Sequence, residues 1–168
     1  MLVLGIDPGT ATTGFGVIEL NHDGLKVIDW GLIETSKDTL AHKRLAKIYE
    51  ELSELIDKVK PDVFVIEKVF FANNAKTAIS VGQAIGVMLL SAAYADVQVV
   101  EYSPMTIKKV LAGNGRADKK LMQQSVRKYL GAKVRSAKRK KTHFDNAADG
   151  LAIALCHLMH LDSSIKLA

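Results

Sequence analysis

Carboxylates that directly follow short apolar runs are the residues of this chain best suited to chemistry. Leu2-Val3-Leu4-Gly5-Ile6 runs into Asp7, and Val63-Phe64-Val65-Ile66 runs into Glu67. A third group, Asp145, Asn146 and Asp149, opens an otherwise apolar C-terminal segment. An ionised carboxylate at the end of a buried run is unfavourable unless it is paired, titrated or used to hold a cation. The bland reading of Asp7 is a turn aspartate at a strand end, since Pro8-Gly9 bends the chain at once. The sharper reading is a metal-binding carboxylate on a rigid central strand. Hard oxygen donors drawn from separate elements, without sulfur ligands, favour Mg2+ or Mn2+ over zinc. Two such ions about 4 Å apart activate a water and stabilise a leaving alkoxide in phosphodiester hydrolysis. No Ser–His–acid or Cys–His pairing is suggested. His143, the histidine near the acids, reads as a general base, a ligand or a plain loop residue.

The elements that must position these groups follow from periodicity. The first apolar run is a buried strand, and Gly5, Gly14 and Gly16 permit close approach to its backbone. Phe15 to Leu20 and Leu25 to Ile33 flank Asn21-His22-Asp23-Gly24, whose Asp-Gly pair predicts a hairpin and a three-stranded meander. His22 reads as a solvated turn residue, and Trp30 is expected to pack on a sheet face. Leu45, Ile48, Leu52, Leu55, Ile56 and Val59 recur at helical spacing, so Leu40 to Val59 is a helix ended by Pro61. A helix between two apolar runs implies a crossover and parallel strands. Their carboxyl ends then share one sheet edge, where ligand sites of α/β proteins usually lie. Asp7 and Glu67 are therefore expected to face each other.

Further along, Asn73 to Tyr94 reads as a small-residue-rich helix, with Ala78, Gly82, Ala84, Gly86 and Ala92 free to pack on the sheet or on another subunit. Phe70-Phe71 precedes it, beside Asn73, Asn74 and Lys76. It suits stacking on an unpaired base, with at least one of the two rings expected in the core. Val97 to Tyr102 is a strand, and Ser103-Pro104 starts a helix to Leu111. Gly113 to Lys120 is either a phosphate-wrapping loop or a simple connection, and Asp118 caps a helix to Leu130. Lys133 to Lys141 holds six cations and no acid, as a solvated loop, a phosphate-contacting one or a localisation signal. The last helix, from about Asp145 to Leu161, is apolar nearly all round and so buried.

The totals set bounds. The 168 residues suit a single domain, residues 1–168, and 48% hydrophobic with 24% charged residues is ordinary for a globular chain. A net charge of +5 permits a polyanionic partner without requiring one. The single cysteine, Cys156, allows no internal disulfide and reads as a small core residue. No secretory signal or membrane span is evident, so the expectation is a cytoplasmic protein with no membrane partner.

Gly5-Ile6-Asp7-Pro8-Gly9, Glu67-Lys68-Val69-Phe70, Gly82-Gln83-Ala84 and Ala147-Ala148-Asp149-Gly150-Leu151-Ala152 together resemble the RuvC family of Holliday-junction resolvases. The resemblance runs from Leu2 to about His160. It implies an α/β, RNase H-like fold, a five-stranded mixed sheet flanked by helices. It implies a metal-dependent, structure-selective endonuclease: a homodimer that cuts two opposed strands of a four-way DNA junction, works with the RuvA–RuvB branch-migration complex, and uses two Mg2+ ions per site, with Mn2+ able to substitute. Asp7, Glu67 and Asp149 match the family's metal-binding carboxylates, and Phe70 its base-stacking aromatic. Lys108 and Lys119 match its phosphate-contacting cations. Arg116, Lys138 and Arg139 are added as further DNA contacts from the basic stretches. Where the family usually has Asp or His, three residues before the last acid, this chain has Asn146. An asparagine supplies a neutral carbonyl ligand but no charge and no base. Asp145 or His143 stands near enough to substitute, and an inactivating change is the other possibility.

Three alternatives remain open on these residues. Another RNase H-like nuclease or strand-transfer enzyme would share the acids without Phe70 or dimeric symmetry. A phosphotransfer or ATPase fold would use Gly9-Thr10 and Thr12-Thr13-Gly14 around phosphate, but 168 residues leave no room for the second nucleotide-binding half. A catalytically silent DNA-binding protein is made conceivable by Asn146.

Overall fold

The computed structural model describes residues 1–69, 75–131 and 141–161, with residues 75–77 and 141–147 described as backbone only. Expectations placed on Phe70, Phe71, Asn73, Asn74, Lys138 and Arg139, and on the side chains of Lys76, His143, Asp145 and Asn146, fall outside that description.

Three strands open the chain: β1 (Leu2–Asp7), β2 (Thr12–Asn21) and β3 (Gly24–Glu34). They pair antiparallel as the expected meander. The hairpin closes differently from the Asp-Gly expectation. Asn21 pairs with Gly24 across a His22-Asp23 turn, and Asn21 Oδ1 accepts the Asp23 N–H at 2.9 Å. Gly24 carries the left-handed backbone (φ 106°) as the first residue of β3. A bulge at Val17/Ile18 leaves Ile28 unpaired and exposed.

Helix α1 (Ala41–Val59) then crosses to β4 (Val63–Glu67), which lies parallel to β1. Helix α2 (Ala75–Tyr94) leads to β5 (Gln98–Tyr102), parallel to β4. The sheet order is β3-β2-β1-β4-β5, a five-stranded mixed sheet. Helices α3 (Pro104–Ala112), α4 (Lys119–Leu130) and α5 (Lys141–Leu161) complete the chain. Ser103 and Asp118 cap α3 and α4 as their side-chain types require, accepting the Thr106 and Leu121 N–H groups.

Alternation along the strands sends side chains to two cores. Leu4, Ile6, Phe64 and Ile66 pack with Ile48, Leu52 and Ile56 of α1 and Ala84, Met88 and Ala92 of α2. Val3, Ile18, Val63 and Val65 pack on the other face with α5, from Leu151 to Leu158, and with α3 and α4. Trp30 is half-buried against this second core, as expected. Cys156 is fully buried there, and burial pushes its thiol up to about 12.

Helix α5 approaches the sheet closely enough that only glycine fits at the crossing. A Cβ on Gly5 would lie 2.4 Å from Ala154 N, and one on Gly16 2.4 Å from Leu151 N. A Cβ on Gly150 would lie 2.5 Å from the Phe15 carbonyl carbon. Backbone therefore meets backbone, which fixes the height of Asp149 over the sheet. The helix begins at Lys141, four residues earlier than its apolar pattern indicated. Asp145 and Asn146 thus sit a full turn inside it, and Asp149 more than two turns in.

Candidate active site

The repeated apolar-run-plus-acid plan resolves into neighbouring parallel strands. Val3 pairs with Val63 and Ile6 with Ile66, so the next step along the register sets Asp7 beside Glu67 at the carboxyl edge. Asp149 reaches the same edge from α5. The three carboxylates line one cavity of about 250 Å3, together with Lys108 of α3 and Lys119 at the start of α4. Ile107, Met122 and Ile153 form its apolar wall.

The turn after β1 is held rigidly. Thr13, fully buried, donates its hydroxyl to the Gly9 carbonyl at 2.8 Å. Thr35 donates to the Thr10 carbonyl, and Arg44 Nε donates to the Thr35 hydroxyl at 2.8 Å. On the other side Tyr102, the register partner of Glu67, shares a 3.1 Å hydrogen bond with Nδ1 of His157 on α5. Lys68 turns outward to Glu101 at 3.5 Å.

Electrostatics mark the cavity. Asp7 is pushed up to about 7, first by burial, then by Asp149 and Glu67, while Lys119 pulls it down. Glu67 is likewise pushed up to about 7, by burial and then Asp149, with Lys108 opposing. Lys119 Nζ lies 3.3 Å from an Asp149 carboxylate oxygen. Carboxylates raised first by burial and then by one another mark a place where a cation would offset both costs. All three offer hard oxygen donors, the type suited to a hard divalent ion. Among the described residues no three side chains of acid, His or Cys type already form a single-ion chelate. The three carboxylates lining one cavity would suit a hard divalent ion whose remaining positions water or phosphate oxygens would complete.

Of the other expected site residues, Arg116 lies apart from the carboxylates, on a neighbouring hollow across α3. The hydrogen bonds of the Gly113–Asp118 loop favour a connection over a phosphate cradle. The N–H groups of Gly113, Arg116 and Ala117 are used internally, by the Lys109 carbonyl, Asn114 Oδ1 and the Asn114 carbonyl. Sequence reasoning missed the wall of Ile107, Met122 and Ile153 and the braces Thr35, Arg44 and His157. Apolar periodicity gives no sign of which core residues will border a cavity.

Comparison with known proteins bears directly on this geometry. The family of crossover junction endodeoxyribonuclease RuvC matches residues 3–157. The chain belongs to the RuvC family. It is 45% identical to the crossover junction endodeoxyribonuclease RuvC of Chloroflexus aurantiacus over 157 residues, covering 94% of this chain and 92% of the relative. It is 43% identical to that of Caldicellulosiruptor saccharolyticus over 164 residues, covering 97% and 95%. Among solved structures it resembles Thermus thermophilus RuvC, with a TM-score of 0.83, 32% identity and 99% of both chains covered. The same protein in complex with Holliday junction substrate gives a TM-score of 0.82 at 30% identity, again with 99% of both chains covered. This chain is thus a crossover junction endodeoxyribonuclease, and the family implies dependence on a divalent metal. The phosphotransfer reading falls with that result. Among the described residues no helix is long and apolar enough to cross a membrane.

Proposed function

We propose that Asp7, Glu67 and Asp149 hold a pair of Mg2+ ions, replaceable by Mn2+, at which one DNA strand of a four-way junction is hydrolysed. The observation that carries this reading is their convergence, from β1, β4 and α5, on one cavity that also holds two lysines. The ions would polarise the scissile phosphate and supply hydroxide near neutral pH. The chain's own groups do the rest. Burial by Ile107, Met122 and Ile153 keeps bulk water from screening the carboxylates. Lys119 and Lys108 balance their charge in the free protein and are placed to meet phosphate oxygens when DNA arrives. One of Asn146, Asp145 and His143 supplies a further ligand, or Asp145 or His143 a proton acceptor, beside Asp149. Phe70 stacks on bases near the junction centre, and Lys138 and Arg139 extend the cationic surface.

Paired, symmetric nicks need two such sites, which we assign to a homodimer through α2. Ala84, Met88 and Ala92 of that helix face the core, whereas Ile79, Gly82, Gln83, Gly86, Leu90 and Tyr94 form an exposed stripe on its far side. Nothing lies within 4 Å of a Cβ built on Gly82 or Gly86. A second copy of this stripe would find two close-approach points flanked by large apolar side chains. The RuvA–RuvB complex is the expected partner in branch migration, and the cytoplasm the expected place for an enzyme acting on chromosomal junctions. The test is incubation with a synthetic mobile four-way junction beside linear duplex, with and without Mg2+. Paired nicks in the junction alone, and only with the metal, support the reading; equal cutting of duplex, or cutting in EDTA, rejects it. Asp145→Ala, Asn146→Ala and His143→Ala, compared under Mg2+ and Mn2+, assign the further ligand.

A further inference from the structure

Helix α3 stands between two hollows. Ile107 and Lys108 face the carboxylates, while Met105, Lys109 and Val110 line a second hollow of about 940 Å3, closed by Arg116 of the α3–α4 loop and His160 of α5. Its floor is apolar, and Met105 is 67% exposed within it. The cations on its rim are available. Lys109 and Arg116 are both exposed, and among the described residues neither side chain meets a carboxylate.

The hollow is built stiffly and tied to the active site. The loop is locked by the internal hydrogen bonds of Asn114, and a Cβ on Gly115 would lie 2.7 Å from Met105 Cγ. The His160 ring sits edge-on to Tyr102 at 5.6 Å, and Tyr102 pairs in register with Glu67. Lys109 follows Lys108 in sequence, and Arg116 precedes Lys119 by three residues. Neighbouring residues of α3 thus set cations on both of its sides, Lys108 lining the cavity of the carboxylates and Lys109 the second hollow with Arg116. An apolar floor with a heteroaromatic ring, rimmed by two cations, matches the chemistry of a nucleotide and not of a bare phosphate.

We propose that this hollow receives one unstacked nucleotide of the cut strand beside the scissile phosphate, its base on Met105, Val110 and His160 and its phosphate on Lys109 and Arg116. The inference rests on the junction-cleavage reading and adds a site for recognising bases near the cut. It is tested with a junction carrying 2-aminopurine at each nucleotide flanking the cut in turn, bound to the full chain in EDTA. Binding should raise the fluorescence at one flanking position, and His160→Ala, which removes the ring from the hollow at an exposed residue, should abolish that rise. The same variant should weaken junction binding about tenfold, the scale of a single base–aromatic stack. Lys109→Gln with Arg116→Gln should lower the log–log salt slope by roughly 0.9 for each phosphate no longer neutralised. A rise that survives His160→Ala, no rise at any flanking position, or an unchanged salt slope overturns the proposal. An occupant that is another protein would leave both DNA readouts at wild-type values and so overturn it too. Failure of the wild-type chain to bind any junction would instead defeat the junction reading itself, before a substitution is made.

Discussion

Replacing Asp7 by asparagine should strengthen the fold while it destroys the activity. Asp7 is pushed from 3.8 to about 7 by burial, Asp149 and Glu67, so its ionised form is disfavoured in the metal-free native state. Because the native carboxyl binds its proton more tightly than the unfolded one, its effect on stability runs downward with pH. It is neutral below about pH 4 and becomes a growing penalty as pH rises through about 7. About three pKa units correspond to at most about 4 kcal/mol. Sharing of the same repulsion with Glu67 and partial hydration reduce a realistic figure to about 2 kcal/mol. In a chain of this length that is a rise in Tm of about 4 to 8 °C for Asp7→Asn in EDTA at pH 8. The gain should shrink as pH is lowered towards about 4. Adding Mg2+ should raise the melting temperature of the wild type, by about 2.7 kcal/mol of stability at a hundredfold excess over Kd, and leave the variant behind. Thermal melts at two pH values, with EDTA and with Mg2+, provide the four numbers. A variant no more stable than wild type in EDTA at pH 8, or a gap indifferent to pH, would refute the burial of Asp7 among neighbouring carboxylates on which the site is argued.

Other expected outcomes follow from individual positions. Gly16→Ala sets a methyl 2.4 Å from Leu151 N, so it should lower the urea midpoint by an amount equal to about 1 to 3 kcal/mol or more and impair cleavage by displacing Asp149. Gly86→Arg meets open space within the chain, so its melting curve should stay near wild type while sedimentation shows loss of the dimer. An intact dimer would remove α2 as the interface. Lys119→Met takes away the cation that opposes the rise in Asp7, so carboxyl titration by NMR in EDTA should show Asp7 releasing its proton at higher pH than in wild type. A titration that does not move would separate Lys119 from the carboxylates.

Much of this arrangement was legible before any coordinates, because two strands carried the same plan. Leu2 to Asp7 and Val63 to Glu67 both end an apolar run in an acid, and a helix between them leaves little choice but parallel neighbours with their acids together. The glycines at 5 and 16 signalled a close approach, but not that α5 makes it through Gly150. The start of α5 was misplaced because its first turn, Lys141-Thr142-His143, has no apolar residue to betray the period. The hairpin turn slipped because Asn21, by accepting from Asp23, makes a turn one residue ahead of the Asp-Gly pair. Arg116 was legible as a cation of the basic stretch, but not that it would line a hollow across α3 from the carboxylates. The direction a loop residue takes depends on turn chemistry, here the Asn114 side chain, and charge content does not encode it.

The most direct examination of the site is diffraction from crystals containing Mn2+, recorded at an energy where the ion scatters anomalously. Anomalous peaks within coordination distance of carboxylate oxygens, roughly 2.0 to 2.6 Å for hard cations, with Asp7, Glu67 and Asp149 all among the ligands, are the expected result. No peak in the cavity at saturating Mn2+, or peaks held by other residues while these three remain unliganded, would contradict it.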